Sequence, residues 1–176
     1  MKYKKLWTDM HSNIHHDQME ALPLWYEQIK KEMDFWPIAY YPFYMRPTSS
    51  GLAVEDRYED ELIEKDWEQV RQLALQAEKE GFPMFMGYEW QGAGLDGDHN
   101  VFFLENGEKQ EHPMRYQELV EAYKGKPVIG IPHHVAYQLG SRGKNWETHD
   151  EKFSPFAEIY SSHGCSENDD GPLMMN

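Results

Sequence analysis

The sequence predicts an α/β fold with a mostly parallel sheet, and three observations predict it. Short apolar runs alternate with amphipathic stretches of helical period along almost the whole chain. One run, "KPVIGIP" (126–132), is nearly continuous in apolar residues, as in a strand buried on both faces. The helical stretches are also long enough to serve as crossovers between parallel strands.

Taken in order, "KLWTD" (5–9) predicts a first strand and "DQMEALPLWYEQIKKEMD" (17–34) a helix, with Pro23 marking either a kink or its true start. "FWPIAYY" (35–41) predicts a strand despite Pro37, and "RPTSSG" (46–51) has loop composition. The clearest element is the helix over 57–81. Its apolar residues Leu62, Ile63, Trp67, Val70, Leu73, Leu75 and Ala77 recur at helical spacing, and Gly81 supplies a stop. Strands are predicted over 82–90 and 99–105 with no helix between them, which leaves room for an antiparallel pair. A helix over 113–125, the strand 126–132, a loop over 138–152 and a last strand over 155–162 complete the chain.

The 176 residues suit one domain spanning 1–176 with a sizeable core. An apolar fraction of 40% with six Trp, eleven Tyr and eight Phe argues for a folded globule. A net charge of −14 repels phosphate backbones and anionic lipid, so neither nucleic acid nor membrane is an expected partner. Divalent cations are favoured by the same field. The lone Cys165 cannot form an internal disulfide, no signal peptide is legible, and no stretch is apolar enough to span a bilayer. A cytoplasmic location is the expectation.

The histidines are the most informative residues. Most of the nine lie where a predicted strand begins or ends. His11 follows the first strand, which ends on Asp9, and His15 and His16 lie just beyond. His99 opens a strand, His133 and His134 close another, and His163 closes the last. Glu89 stands near the end of "FMGYEW". Neutral imidazoles with a few carboxylates at strand ends make a divalent transition-metal environment, for zinc, manganese or iron. Such an ion acidifies water and polarises an ester or amide oxygen. Each histidine alone also reads as a hydrogen-bonded core or loop residue. His134 must point away from His133 if the strand continues, so one of the pair is expected to be a ligand.

Two other motifs carry less. "GAGLDG" (92–97) matches the dinucleotide fingerprint literally, but a strand follows it where a helix is required, so it reads as a loop. Cys165 with His163 could form a thiol nucleophile site. The acids that follow, from Glu167 on, would raise the thiol pKa and oppose activation. The aromatic run "DFWPIAYYPFYM" (34–45) reads as core packing with a partly buried rim.

The ordered series "TDMHSN", "MDFWPIAYY", "GYEW", "HNVFFL", "IPHH" and "EIYSSHG" resembles the polymerase and histidinol phosphatase (PHP) superfamily, in particular an uncharacterised branch of it, over residues 6–171. The resemblance implies a distorted (β/α)7 barrel with divalent metals at the carboxyl ends of its strands, and hydrolysis of a phosphoester. Residue by residue, it implies metal ligands at Asp9, His11, Glu89, His99, His133 and His163, with His11, Glu89 and His133 at the catalytic centre. Glu158 and His163 fall in the sixth-strand segment, where ligand identity varies more.

The chain also departs from the family pattern. Asn13 stands where the first motif has its second histidine, and Ala39, Tyr40 and Tyr41 replace the second-strand ligand motif. No late Asp-x-His motif is present, and such a barrel usually needs about 250 residues. The expectation is therefore a barrel incomplete at its C-terminus, holding one or two metals. A small-molecule phosphoester is the expected substrate, and an uncovered sheet edge would favour a homo-oligomer. The alternative is a degenerate barrel without catalysis, serving as a binding or structural module.

Overall fold

A computed structural model describes residues 3–92, 94–135, 137–140, 142–161 and 163–167. The chain divides into two compact units, residues 1–88 and 89–176, with the strand Met84–Gln91 crossing the boundary.

In unit 1 the first strand is β1 (Ser12–His15), not the predicted 5–9. Residues 5–9 are instead held by single contacts. The Trp7 amide donates to the Asp34 carboxylate, and the Asp34 amide donates back to the Trp7 carbonyl, both at 2.9 Å. With Leu6 and Trp7 exposed, the apolar residues that suggested a strand bury little surface. A 3₁₀ turn over His16–Ala21 then leads into α1 (Leu22–Glu32). Pro23, in the first turn of α1, marks its start, where a missing N–H costs nothing.

β2 (Trp36–Tyr41) pairs in parallel with β1 on one side and with the beginning of β5 (Met84–Gln91) on the other. Pro37 is tolerated in this central strand for a local reason. The Trp36 amide donates to Pro83 on the β5 side, so the Pro37 nitrogen faces β1, whose ladder begins one residue later at Ile38.

β3 (Phe43–Pro47) and β4 (Ala53–Arg57) form an antiparallel hairpin that was not expected, although the expected loop over 46–51 overlaps its turn over 48–52. Its strands are largely exposed and so carry no alternating apolar signature.

α2 (Asp60–Glu80) is the element the sequence predicts best, ending on Gly81 in the left-handed conformation at φ 74°. It buries Ile63, Trp67, Val70, Leu73, Ala74 and Ala77, together with a charge, Asp66. That carboxylate accepts from the Tyr40 hydroxyl at 2.8 Å and lies 2.7 Å from His16 Nδ1.

In unit 2 the strand order is β5, β6 (Asp98–Phe103), β7 (Val128–Pro132). α3 (Tyr116–Ala122) lies in sequence between β6 and β7, yet the two strands are antiparallel, with His99 opposite Pro132 and Phe103 opposite Val128. The apolar run 126–132 is therefore a buried strand, as expected, but not part of a parallel β-α-β unit. The last expected strand shortens to β8 (Tyr160–Ser161), paired with β9 (Gly164–Cys165) in a small hairpin.

The fold is thus mixed α/β, and the (β/α)7 barrel is a wrong expectation. Only three α-helices occur among the described residues, the strand orders are open, and the β6–β7 pair is antiparallel where a barrel of this type needs parallel neighbours.

Two outcomes follow from the packing. Glu80 accepts from Lys30 at 2.7 Å, Gln76 at 2.8 Å and Tyr26 at 2.9 Å, and these bonds, Lys30 first, hold its carboxyl at about 2 rather than 4.5. A depressed carboxylate stabilises the fold above its unfolded pKa and loses that contribution as pH falls through its folded one. Urea midpoints measured between pH 5 and pH 2 should therefore fall less steeply for Glu80→Gln than for the parent. In unit 2, a Cβ on Gly130 would lie 2.4 Å from Phe153, whose ring is buried against Tyr116 and Tyr123. Gly130→Ala should cost about 1–3 kcal/mol by denaturant unfolding at neutral pH.

Candidate metal centre

One end of the β6–β7 ladder builds this centre. Because the strands run in opposite directions, the start of β6 meets the end of β7, and the His133 amide donates to the Asp98 carbonyl at 3.1 Å. The side chains follow: ligand atoms of Asp98, His133 and His134 all lie within 4.8 Å of one another. Asp98 and His133 are buried, and His134 is half-buried. Glu89, also buried near the end of β5, places Oε1 3.6 Å from His133 Nε2.

His134 joins the group because β7 stops at Pro132. It adopts φ 55°, a left-handed backbone that non-glycine residues rarely take, and its carbonyl accepts from the Tyr137 amide at 2.9 Å. The extended-chain alternation that sets His133 and His134 on opposite sides does not apply past the strand end. Their rings meet edge to face at 4.5 Å. Burial pushes the His134 imidazole down to about 3, with the His133 and His163 rings adding to the effect. At neutral pH it is the uncharged imidazole that ligation requires.

Around this group stand three more side chains. Arg142 Nη1 lies 3.2 Å from Asp98 Oδ2. The exposed His163 ring packs 4.3 Å from that of His134, and its Nδ1 is 3.0 Å from the Tyr137 hydroxyl. Glu158, with Ile159, Tyr160 and Ser161, lines a small recess beside His134 and His163.

No protein-family model, curated protein or solved structure matches this chain. The centre therefore has to be read from its own geometry.

Of the residues predicted for the site, the structure brings Glu89 and His133 together and sets His163 beside them through His134. His99 is placed differently. One residue on from Asp98 in an extended strand, it faces the opposite side of the sheet. There it stacks on Tyr116 at 4.8 Å and meets Trp90 at 5.5 Å, with Nδ1 3.3 Å from the Gly97 carbonyl. Burial first, then the charge of Lys144, hold its pKa well below the ordinary value. Asp9 and His11 belong to unit 1, where the Asp9 carboxylate accepts from the His11 amide at 2.8 Å. In the β8–β9 hairpin Cys165 Sγ lies 4.0 Å from a Glu167 carboxylate oxygen, an unfavourable neighbour for a thiolate.

Sequence reasoning read Asp98 as a loop aspartate with no ligand role, missed Arg142, and set His134 aside. Asp98 was legible in principle, since an acid opening a strand two residues before a buried Asn100 shares that residue's face. Arg142 gave no signal, because it lies in an irregular loop.

The loop before β6 has its own anchor. Asp96 is buried and accepts from Arg115 Nε at 2.7 Å, the Tyr116 amide at 3.0 Å and Asn145 Nδ2 at 3.2 Å. Burial alone would raise its pKa, but these donors outweigh it and hold the carboxyl below its ordinary value. Asp96→Ala should lower stability by about 2–3 kcal/mol in denaturant titration, since the start of α3 and the 143–145 segment lose a shared charged acceptor.

Proposed function

We propose that unit 2 carries the divalent-metal centre of a hydrolase acting on a small-molecule phosphoester, the activity that the PHP resemblance suggests. The observation that carries this reading is the convergence of Asp98, His133 and His134 within 4.8 Å. Donors bound to one ion at about 2.1 Å stand roughly 3.4 Å apart in a tetrahedral shell, so a small inward rotation of these side chains suffices. One oxygen and two imidazole nitrogens suit zinc, manganese or iron.

A divalent ion held there would supply an acidified water and a Lewis acid toward an ester oxygen. The chain's own residues do the rest. His133 and His134 bind as neutral imidazoles. Glu89, 3.6 Å from His133, favours that ring's orientation and stabilises positive charge at the centre. His163, exposed and bonded to Tyr137, stands at the mouth where a substrate would enter.

A second reading, a metal-binding module without turnover, is favoured by Tyr40. Where the family pattern has a ligand motif, this hydroxyl serves unit 1's interior by donating to Asp66. No helix among the described residues is long and apolar enough to cross a membrane. A cytoplasmic location remains part of the proposal.

Calorimetric titration with Mn²⁺ or Zn²⁺ tests the centre. The parent should bind at least one ion, and Asp98→Asn and His133→Ala should each weaken binding by roughly 10–100-fold. Absence of any binding below millimolar ion concentration sinks the proposal. Phosphate release from a panel of phosphomonoesters and diesters then separates the hydrolase from the silent module.

A further inference from the structure

Arg142 places a cation against the centre in a chain of net charge −14, and the loop that carries it is built with little freedom. On one side of it the Tyr137 amide bonds to His134, and the Gly143 amide reaches back to the Gln138 carbonyl at 3.2 Å. A Cβ at Gly143 would lie 1.8 Å from the Tyr137 carbonyl oxygen, so only glycine fits that return. On the other side the Asn145 amide donates to the Asp96 carbonyl at 3.4 Å, and Gly97 lies against the Lys144 backbone with no room for a side chain. The Arg142 side chain emerges between these anchors, 35% exposed, with Nη1 3.2 Å from the nearly buried Asp98 carboxylate.

Asp98 is also the one carboxylate in the Asp98–His133–His134 group. A guanidinium and a divalent cation draw on the same negative charge of that carboxylate and repel each other, so each weakens the other's hold on it. We propose that Arg142 is the anion anchor of this centre, closing the Asp98 carboxylate in the metal-free protein and binding an oxyanion of the ligand, phosphate or carboxylate, once a divalent cation occupies that carboxylate. The inference rests on the metal-centre reading above and adds the side chain that would hold the ligand's anionic group. Guanidinium suits this role because its planar fork matches two oxygens of a phosphate or carboxylate, and it stays charged at any physiological pH. Without such a cation, Glu89 and Asp98 would repel the anionic end of a substrate. Arg142 thus links two properties, a weakened hold on metal and a strengthened hold on anion.

Calorimetric titration of the whole protein with Mn²⁺ alone, and with inorganic phosphate in the presence and absence of Mn²⁺, tests this link in the parent, Arg142→Gln and Arg142→Lys. Arg142→Gln should bind Mn²⁺ several-fold more tightly and phosphate at least about tenfold more weakly, with Arg142→Lys intermediate for phosphate. Acetate in place of phosphate separates the two ligand sources, and dependence on Arg142 for either anion supports the anchor. Equal affinity of parent and Arg142→Gln for both anions overturns it, as does weaker Mn²⁺ binding in Arg142→Gln. If the parent binds no Mn²⁺, the metal-centre reading fails and the anchor falls with it; if the parent binds Mn²⁺ but phosphate binding with Mn²⁺ present is the same in parent and Arg142→Gln, the anchor alone fails. Should Arg142→Gln fail to fold by thermal melting, the phosphate affinity of Arg142→Lys carries the decision, unchanged affinity overturning the anchor.

Discussion

The antiparallel ladder between β6 and β7 is the constraint on which the second unit depends. With His99 opposite Pro132, the residues that flank the ladder at that end are Asp98 and His133. Had the strands run in parallel, the same two residues would stand at opposite ends of a five-residue ladder, about 17 Å apart. No loop rearrangement could then join them. Strand direction alone decides whether these side chains share a site.

That ladder also sets a demand for charge balance. Glu89, Asp96 and Asp98 are each at most 3% exposed, and a carboxylate without water needs a compensating partner. Arg115 stands against Asp96 and Arg142 against Asp98, while the His133 ring lies 3.6 Å from Glu89. The three solutions differ in rigidity. Asp96 is locked by several donors at once and fixes architecture, whereas Asp98 has a long, partly exposed cation against it.

Legibility in the sequence followed packing. α2 and the β2 and β7 strands were plain because one face or both are buried, and burial writes periodicity into the chain. The β3 and β4 strands were missed, though the loop between them was read, and the 5–9 segment was misread, for complementary reasons. The hairpin is regular but exposed, and the segment is apolar but unpaired. Strand direction was legible only in part: β1, β2 and β5 are parallel as expected, but β6 and β7 are antiparallel although a helix lies between them in sequence, and the barrel expectation failed there. At the site, Glu89 and His133 could be found because strand ends attract functional residues. His99 was misplaced by a single step of alternation, and His134 was set aside by carrying that alternation one residue past the strand.

His134 has a consequence that concerns selection rather than chemistry. Its left-handed backbone costs on the order of 1–2 kcal/mol relative to an ordinary conformation, a strain that glycine at the same place would not bear. A screen that rewards heat resistance alone would therefore favour losing this imidazole early. Glycine at position 134 would relieve that strain and at the same time remove one of the three side chains that converge at the end of the β6–β7 ladder.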